Sequence, residues 1–326
     1  MPTKAERRTI IRNKAVVLFG PTAVGKTNLT ETLFASGYEI INADSIQVYR
    51  GLTVASAKPD EELRKKIRHH LVDIRDPREE YTSGDFCNDA DSLIKEINGR
   101  GMIPLITGGT AYYFKMLCYE RNSAPKSDPS VREMVQKLLE EKGKEQLYSE
   151  LGRVDPDSCK RININDIYRI TRALEVYYQT GRPLSSFPLT DILRSDVDFV
   201  LIGLEREKAE LEARIRKRVE VMFSSGAVEE MRSLISGGAD RKWPAMEAIG
   251  YREWFDAMES GEYSLSLVKE AVIHNSVRYA KRQMTFFRSF PEVKWFHPDD
   301  TKSIRNYLAF RGIGDIHDRE ESAVSE

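Results

Sequence analysis

Apolar and polar residues alternate along this chain in two rhythms. A short apolar run rich in β-branched and aromatic residues occurs at Ala15-Val16-Val17-Leu18-Phe19, and similar, mostly apolar runs at Glu39-Ile40-Ile41, Met102 to Ile106, Val197 to Ile202 and Val293-Lys294-Trp295-Phe296. Runs this short predict strands buried on both faces, as in a parallel sheet. Between most of them apolar positions fall three and four apart, notably over Phe86 to Ile97 and Leu211 to Met222, the spacing of helices that bury one face. Strands alternating with helices predict an α/β fold with a parallel sheet flanked by helices. Pro104 is awkward for a central strand, since it has no N–H for the ladder.

The rhythm changes over about 121–195, where only helical patterns occur. These are Ser130 to Glu141 after the turn Ser127-Asp128-Pro129, Glu145 to Leu151, and Asp166 to Gln179, which stops before Gly181 and Pro183. The pattern predicts a mostly helical inserted domain over 121–195 in a discontinuous core of 1–120 and 196–312. The polar end, 313–326, is expected to be a frayed tail.

Composition narrows the function classes. With 326 residues and 40% hydrophobic content the chain can bury a real core, and Lys+Arg 50 against Asp+Glu 51 leaves a net charge of -1. No field of the whole molecule draws in polyanions, so nucleic-acid contact has to come from local basic patches. Cys87, Cys118 and Cys159 are widely spaced and form no CxxC pair, which argues against zinc or a redox couple and fits a reducing compartment. The basic start (Lys4, Arg7, Arg8, Arg12, Lys14) leads into only five apolar residues, too few for a signal-peptide core or a membrane span. A cytoplasmic protein without membrane attachment is expected.

The first predicted strand runs straight into Gly20-Pro21-Thr22-Ala23-Val24-Gly25-Lys26-Thr27, which satisfies G-x-x-x-x-G-K-Ser/Thr between a strand and a helix. Such a P-loop wraps backbone N–H groups around a diphosphate or triphosphate, with Lys26 neutralising charge and the Thr27 hydroxyl able to ligate Mg2+. The cradle alone leaves open whether a phosphoryl group is transferred or a diphosphate departs.

Asp44 stands just past the second predicted strand, in Asn42-Ala43-Asp44-Ser45-Ile46-Gln47, on the rim where open α/β sheets bind ligands. It suits a magnesium-holding acid, a general base or a helix cap. Thr107-Gly108-Gly109-Thr110 forms a third loop of this kind, with room for close backbone approach and a hydroxyl at Thr110. Arg214 and Arg218 stand four apart on one helical face, suited to a departing phosphate if they face the cradle, with Glu210 and Glu212 as surface partners if they do not. The segment from Arg278 to Arg288 mixes four basic residues with Tyr279, Phe286 and Phe287 and contains no acid, a pattern that serves a phosphate backbone. His69-His70 has no accompanying Cys/His cluster, so a structural or orienting role is expected rather than a metal site.

Read together, Gly20 to Thr27, Asp44 to Arg50, His69-His70-Leu71, Gly108-Gly109-Thr110, Arg169 to Glu175, Ala248 to Glu253 and Ala280-Lys281-Arg282-Gln283 resemble the tRNA dimethylallyltransferase (tRNA isopentenyltransferase) family from about Ala15 to Trp295. The resemblance implies transfer of a dimethylallyl group from dimethylallyl diphosphate to N6 of the adenosine just 3′ of the anticodon, position 37 of the tRNA. It implies a diphosphate-binding cradle formed by Gly20, Pro21, Thr22, Ala23, Val24, Gly25, Lys26 and Thr27, with Mg2+ at Thr27. Asp44 would be the general base, with Thr27, Arg214 and Arg218 stabilising the leaving group. The tRNA would meet Asp44, Ser45, Ile46, Gln47 and Thr110 at the target base. Its stem and loop would be held by Arg132, Tyr168, Arg169, Ile170, Thr171, Arg172, Glu247, Ala248, Ile249, Gly250, Tyr251, Arg252, Lys281, Arg282 and Gln283. The insertion would bind the anticodon arm, and a monomer is expected. The chain departs from the family pattern at Ser276-Val277, where Thr-Arg is usual, at Phe286, where Trp is common, and at Tyr168, where Gln often precedes the arginine. A small-molecule kinase using the same cradle, and prenylation of free adenine nucleotide, are the rival readings. The first predicts ATP turnover and no need for the insertion, and both the insertion and the basic aromatic segment count against the second.

Overall fold

A computed structural model describes residues 13–121, 124–261 and 263–313. Its strands are β1 (Asn13–Phe19), β2 (Tyr38–Asn42), β3 (His69–His70), β4 (Ile103–Thr107), β5 (Tyr119–Arg121), β6 (Leu189–Leu193), β7 (Val197–Leu204) and β8 (Lys294–Phe296). The helices are α1 (Lys26–Leu33), α2 (Glu61–Lys66), α3 (Ser83–Gly99), α4 (Ala111–Cys118), α5 (Pro129–Val154), α6 (Pro156–Arg161), α7 (Ile167–Thr180), α8 (Lys208–Ser224), α9 (Ala227–Ser236), α10 (Arg252–Glu259), α11 (Leu265–Phe287) and α12 (Thr301–Phe310). The chain divides into two compact units, one of Met1–Cys118 with Arg194–Glu326 and one of Tyr119–Leu193.

In the first unit six strands form a sheet in the order β3-β2-β4-β1-β7-β8, every pair parallel. The five predicted strands are all there, and the two-residue β3 at His69-His70 extends the sheet. His70 Nε2 lies 2.7 Å from Glu39 Oε2 and His69 Nδ1 donates to Ile67 O at 2.7 Å, contacts of the structural kind expected of that pair. Pro104 does lie in a central strand, but pairing of β4 with β1 begins at Leu105, so the missing N–H falls before that ladder starts.

Ala15 to Phe19 of β1 are fully buried, because neighbouring strands and helices cover both faces. Val16, Leu18, Leu105, Val200 and Ile202 anchor the main core cluster. The strand order reverses at β1, with β4 and β2 on one side and β7 and β8 on the other. Ligands of open α/β sheets bind at such a switch point, outside the carboxyl ends of the strands. None of the helices among the described residues is long and apolar enough to cross a membrane.

The second unit packs α5, α6 and α7 around Val135, Leu147, Leu151, Ile162, Ile170, Ala173 and Leu174. Gly143, with φ +75° and ψ 168°, breaks α5 into two segments, at the gap between the two predicted helical patterns. Two elements of this unit have no counterpart among the predicted helical patterns: the short helix α6, and β5 with β6, which form an antiparallel ribbon. Ile192 of that ribbon is 61% exposed, so it lacks the apolar run by which buried strands were recognised. At the other end, Ile313 is buried against the core rather than part of a tail, and the remainder of the predicted tail, 314–326, lies outside the described residues.

Candidate active site

The cradle forms where β1 ends. Phe19 stacks on Phe287 with ring centroids 4.6 Å apart and planes 12° from parallel, which fixes the depth at which the loop begins. A Cβ on Gly20 would lie 2.7 Å from Leu204 O, so only glycine fits that approach. The loop closes at Gly25, with φ +118°, and enters α1. Lys26 Nζ donates to Gly20 O at 2.8 Å and Pro21 O at 3.0 Å. Burial and then the nearby Arg218 charge press the Lys26 ammonium down to about 7, against an upward pull from Asp44. Thr27 follows on the first turn of α1 and is exposed.

Three arginines grip three consecutive cradle residues. Arg218 Nη1 donates to Thr22 Oγ1 at 3.1 Å, Arg214 Nε to Ala23 O at 2.9 Å and Arg206 Nε to Val24 O at 2.8 Å. Arg214 and Arg218 therefore do face the cradle from α8. Of their expected surface partners, Glu210 pairs instead with Arg206, and Glu212 lies 3.8 Å from Lys208. Arg206 also meets Asp299 at 2.7 Å and its side chain is only 5% exposed, so it acts as a bracket with its charge already matched. Burial lowers the Arg218 guanidinium and Asp44 opposes that shift, which makes Arg218 the arginine electrically coupled to the candidate base.

Asp44 is half-buried, and its Oδ1 accepts from Ile46 N at 2.9 Å and Gln47 N at 3.3 Å. The carboxylate thus caps its own turn with one oxygen, while Oδ2 lies 3.2 Å from where a Cβ on Gly109 would be. Thr110 Oγ1 accepts from Ser45 N at 2.9 Å and donates to Ser45 Oγ at 3.1 Å. Gly108 makes this lacing possible, because a Cβ there would fall 2.2 Å from Ala43 O. Gln47 donates through Nε2 to Ser56 O and Ala57 O, both at 3.1 Å, and Ile46 is half-buried in the same turn.

The residues expected to meet tRNA are not all surface groups. Among those of the first unit, Lys281 and Arg282 are exposed, and Arg282 lies 5.8 Å over the Tyr279 ring. Gln283 is 2% exposed and Tyr251 1% exposed, so their side chains offer no open face. Glu247 is exposed, Ala248, Ile249 and Arg252 are half-buried, and Gly250 takes φ +99° with Ala55 Cβ 3.3 Å from where its own Cβ would be. Arg252 Nε donates to Glu253 Oε1 at 3.3 Å. In the second unit Tyr168 is 72% exposed, with Arg169 beside Asp166 at 3.4 Å and Arg132 exposed on α5. Ile170 is buried in that unit's core, Thr171 Oγ1 donates to Tyr168 O at 3.1 Å, and Arg172 donates to Pro125 O and to Glu175 Oε2.

Sequence reasoning missed Glu230 and Lys58. Glu230 accepts from the N–H groups of Thr53, Val54 and Ala55 and from Tyr251 Oη. Lys58 is buried and donates to Tyr49 O at 2.7 Å and Asp73 Oδ1 at 2.6 Å. Both hold the stretch of chain that follows Asp44. No motif marks such residues, since a lone Glu or Lys on an ordinary polar stretch looks like surface.

Among the described residues no three His, Cys, Asp or Glu side chains gather into a metal cage. P-loops hold Mg2+ without such a cage, through one protein hydroxyl with phosphate oxygens and water. Thr27 at the head of α1 is a donor of that kind.

Residues 47–290 match the model of the IPP transferase family. The tRNA dimethylallyltransferase of Borrelia turicatae (strain 91E135) is 46% identical over 290 residues, 89% of this chain and 96% of that protein. The Geobacter sulfurreducens protein of the same name is 40% identical over 87% of this chain and 92% of its own length. The crystal structure of tRNA isopentenylpyrophosphate transferase from Bacillus halodurans aligns with a TM-score of 0.65 at 34% identity, over 92% of this chain and 97% of that one. A eukaryotic dimethylallyltransferase captured acting on tRNA aligns with a TM-score of 0.73 at 27% identity, over 95% of this chain and 80% of that one. The chain belongs to the IPP transferase family, the family of the tRNA dimethylallyltransferases.

Proposed function

We propose that this enzyme transfers a dimethylallyl group from dimethylallyl diphosphate to N6 of the adenosine just 3′ of the anticodon in tRNA, acting in the cytoplasm as a monomer. The observation that carries this reading is the juxtaposition of a P-loop lysine, an arginine and a carboxylate in one site: Arg218 grips the cradle at Thr22, and the Asp44 carboxylate lies close enough to act on the charges of both Lys26 and Arg218. A leaving diphosphate needs the two cations, and an attacking amine needs the carboxylate.

In this reading the allylic C–O bond breaks, the bond from N6 to the allylic carbon forms, and one N6 proton passes to the Asp44 carboxylate. Lys26, Arg214 and Arg218 bind the departing diphosphate with the backbone N–H groups of Gly20 to Thr27. Mg2+ bound at Thr27 would supply further neutralisation of the diphosphate charge. Ser45, held by Thr110, borders the position of a base flipped out of the anticodon loop. The second unit, Tyr119–Leu193, holds the anticodon arm with the exposed Arg132, Tyr168 and Arg169, and the basic face of α11 contributes Arg278, Lys281 and Arg282.

The test is incubation with Mg2+, dimethylallyl diphosphate and tRNA lacking the modification, followed by digestion and mass spectrometry of the nucleosides. Prenylated adenosine is the expected product. Its absence, with ATP consumed against small hydroxyl acceptors in a parallel reaction, would make the cradle a kinase site instead.

A further inference from the structure

Gln283 lies on the basic aromatic segment of α11, yet it is 2% exposed. Its Nε2 donates to Gly109 O at 2.6 Å, and its Oε1 accepts from Thr22 N at 2.9 Å. A carbonyl can only accept and an amide N–H can only donate, so the two partners fix the orientation of the side-chain amide, and a flip would break both bonds. One turn earlier on the same helix, Tyr279 Oη donates to the same Gly109 carbonyl at 3.1 Å. Gly109 in turn packs against the site, since a Cβ there would lie 3.2 Å from Asp44 Oδ2 and 3.3 Å from Gln283 Nε2.

Thr22 is the cradle residue that also accepts from Arg218. The chain of contacts therefore runs from the leaving-group cradle, through one buried amide, to the loop against which the carboxylate rests. We propose that Gln283 is a positioning residue, a crosspiece that fixes the separation between the diphosphate cradle and Asp44, with Tyr279 as its second prop, and not a contact for the tRNA stem. This rests on the reading of Asp44 and the cradle as the two halves of the reaction centre. Cradle and base act on opposite ends of one displacement, so a change in their separation lowers the rate without touching either substrate's own contacts. Misplacement of reacting groups by about 1 Å costs on the order of 100-fold in rate.

Gln283→Met keeps the volume and removes both hydrogen bonds. In the full-length protein, amide hydrogen exchange should rise at residues 20–25 and 107–111 and stay unchanged in the second unit. The single-turnover rate at saturating tRNA and dimethylallyl diphosphate should fall about 10- to 100-fold, with the Kd of each substrate within about threefold of the parent, a small change for one lost contact. Tyr279→Phe removes only one of the two donors to Gly109 O and should show the same pattern at a smaller size, which keeps the test open if the first variant does not fold. Unchanged exchange at both loops would overturn the crosspiece. So would a tRNA Kd weakened as much as kcat/KM falls, with the saturated rate preserved, which is the mark of an RNA contact. If exchange rises as expected while the parent protein makes no prenylated adenosine, the crosspiece stands and the proposed reaction falls.

Discussion

Arg218 reaches across from α8 to donate to the Thr22 hydroxyl at 3.1 Å, and no acidic side chain of its own helix competes for it. Arg206, which grips the same loop two residues further on, is matched by Glu210 and Asp299. Two arginines on one loop therefore have different duties. Arg218→Ala should cut the chemical rate on the order of 100- to 1,000-fold, the usual cost of losing a group that meets developing charge, with little change in melting temperature. Arg206→Ala should instead lower stability by about 1–2 kcal/mol, since it loses a buried hydrogen bond to Val24 O and its two partners are free to meet water. Thermal unfolding and single-turnover rates on both variants check this, and the assignment fails if the two losses are interchanged.

Asp44 uses Oδ1 to cap its own turn, so its removal has a structural part and a chemical part. Asp44→Asn keeps an oxygen for Ile46 N and Gln47 N and removes only the capacity to take a proton. It should bind pyrophosphate as the parent does and transfer the prenyl group about 100- to 10,000-fold more slowly, the range for a lost general base. Equal losses in pyrophosphate titration and in rate would remove Asp44 from the role of base.

Lys26 predicts a pH dependence with a definite sign. Its ammonium falls from 10.5 to about 7, chiefly through burial and then through Arg218. Below about 7 the folded and unfolded chains both hold the proton, and the fold bears the cost of a buried charge. As pH rises above 7 the folded protein sheds the proton and the unfolded chain does not, so this residue's penalty is relieved progressively up to 10.5. An entering anion reverses that, because it favours the charged form. Binding of magnesium pyrophosphate above pH 7 should therefore take up protons, in calorimetric titrations across buffers of different ionisation enthalpy. Lys26→Arg, which stays charged, should lose that uptake. Equal proton uptake by the two proteins would place the titration elsewhere, on the ligand itself.

The cradle was legible because its chemistry is written in a contiguous stretch. Gly20, Gly25, Lys26 and Thr27 mean something only at that spacing, and β1 ahead of them is an unbroken apolar run. Arg214 and Arg218 could be read for a similar reason, since a four-residue spacing puts two side chains on one helical face. The residues that lock the site from a distance could not be read. Glu230 meets Thr53 to Ala55 across a separation that only the fold closes, and Gln283 resembles its basic neighbours until α11 is seen to turn it inward. The ribbon of β5 and β6 escaped because an exposed strand lacks the apolar run on which buried strands are recognised.

Glu230 stabilises the loop that follows Asp44. Its Oε2 accepts from Thr53 N at 2.8 Å and Val54 N at 2.6 Å, and its Oε1 from Ala55 N at 3.1 Å and Tyr251 Oη at 2.9 Å. In either orientation Glu230→Gln would turn its NH2 toward at least one backbone N–H, which can only donate, at a cost of about 2–3 kcal/mol. Tyr251→Phe removes one of the four donors and should cost about 1 kcal/mol. Urea unfolding measures both. Similar losses for the two variants would mean that the backbone donors find water as readily as the carboxylate.

Thr107 ends the central strand β4, and its hydroxyl oxygen is buried with no hydrogen-bond partner among the described residues. A hydroxyl in that position has been desolvated without return, which costs about 1–3 kcal/mol. Thr107→Val keeps the shape of the side chain and removes the polar atom, so it should raise stability by about 1 kcal/mol. The location gives this substitution a second reading, since the adjacent Gly108 and Gly109 line the loop beside Asp44. If the hydroxyl spends its bond on a substrate, Thr107→Val should raise the melting temperature and slow the reaction together. If it serves only the fold, the rate should not change while the melting temperature rises. A fall in melting temperature would refute both, and would mean that the hydroxyl is satisfied within the folded protein.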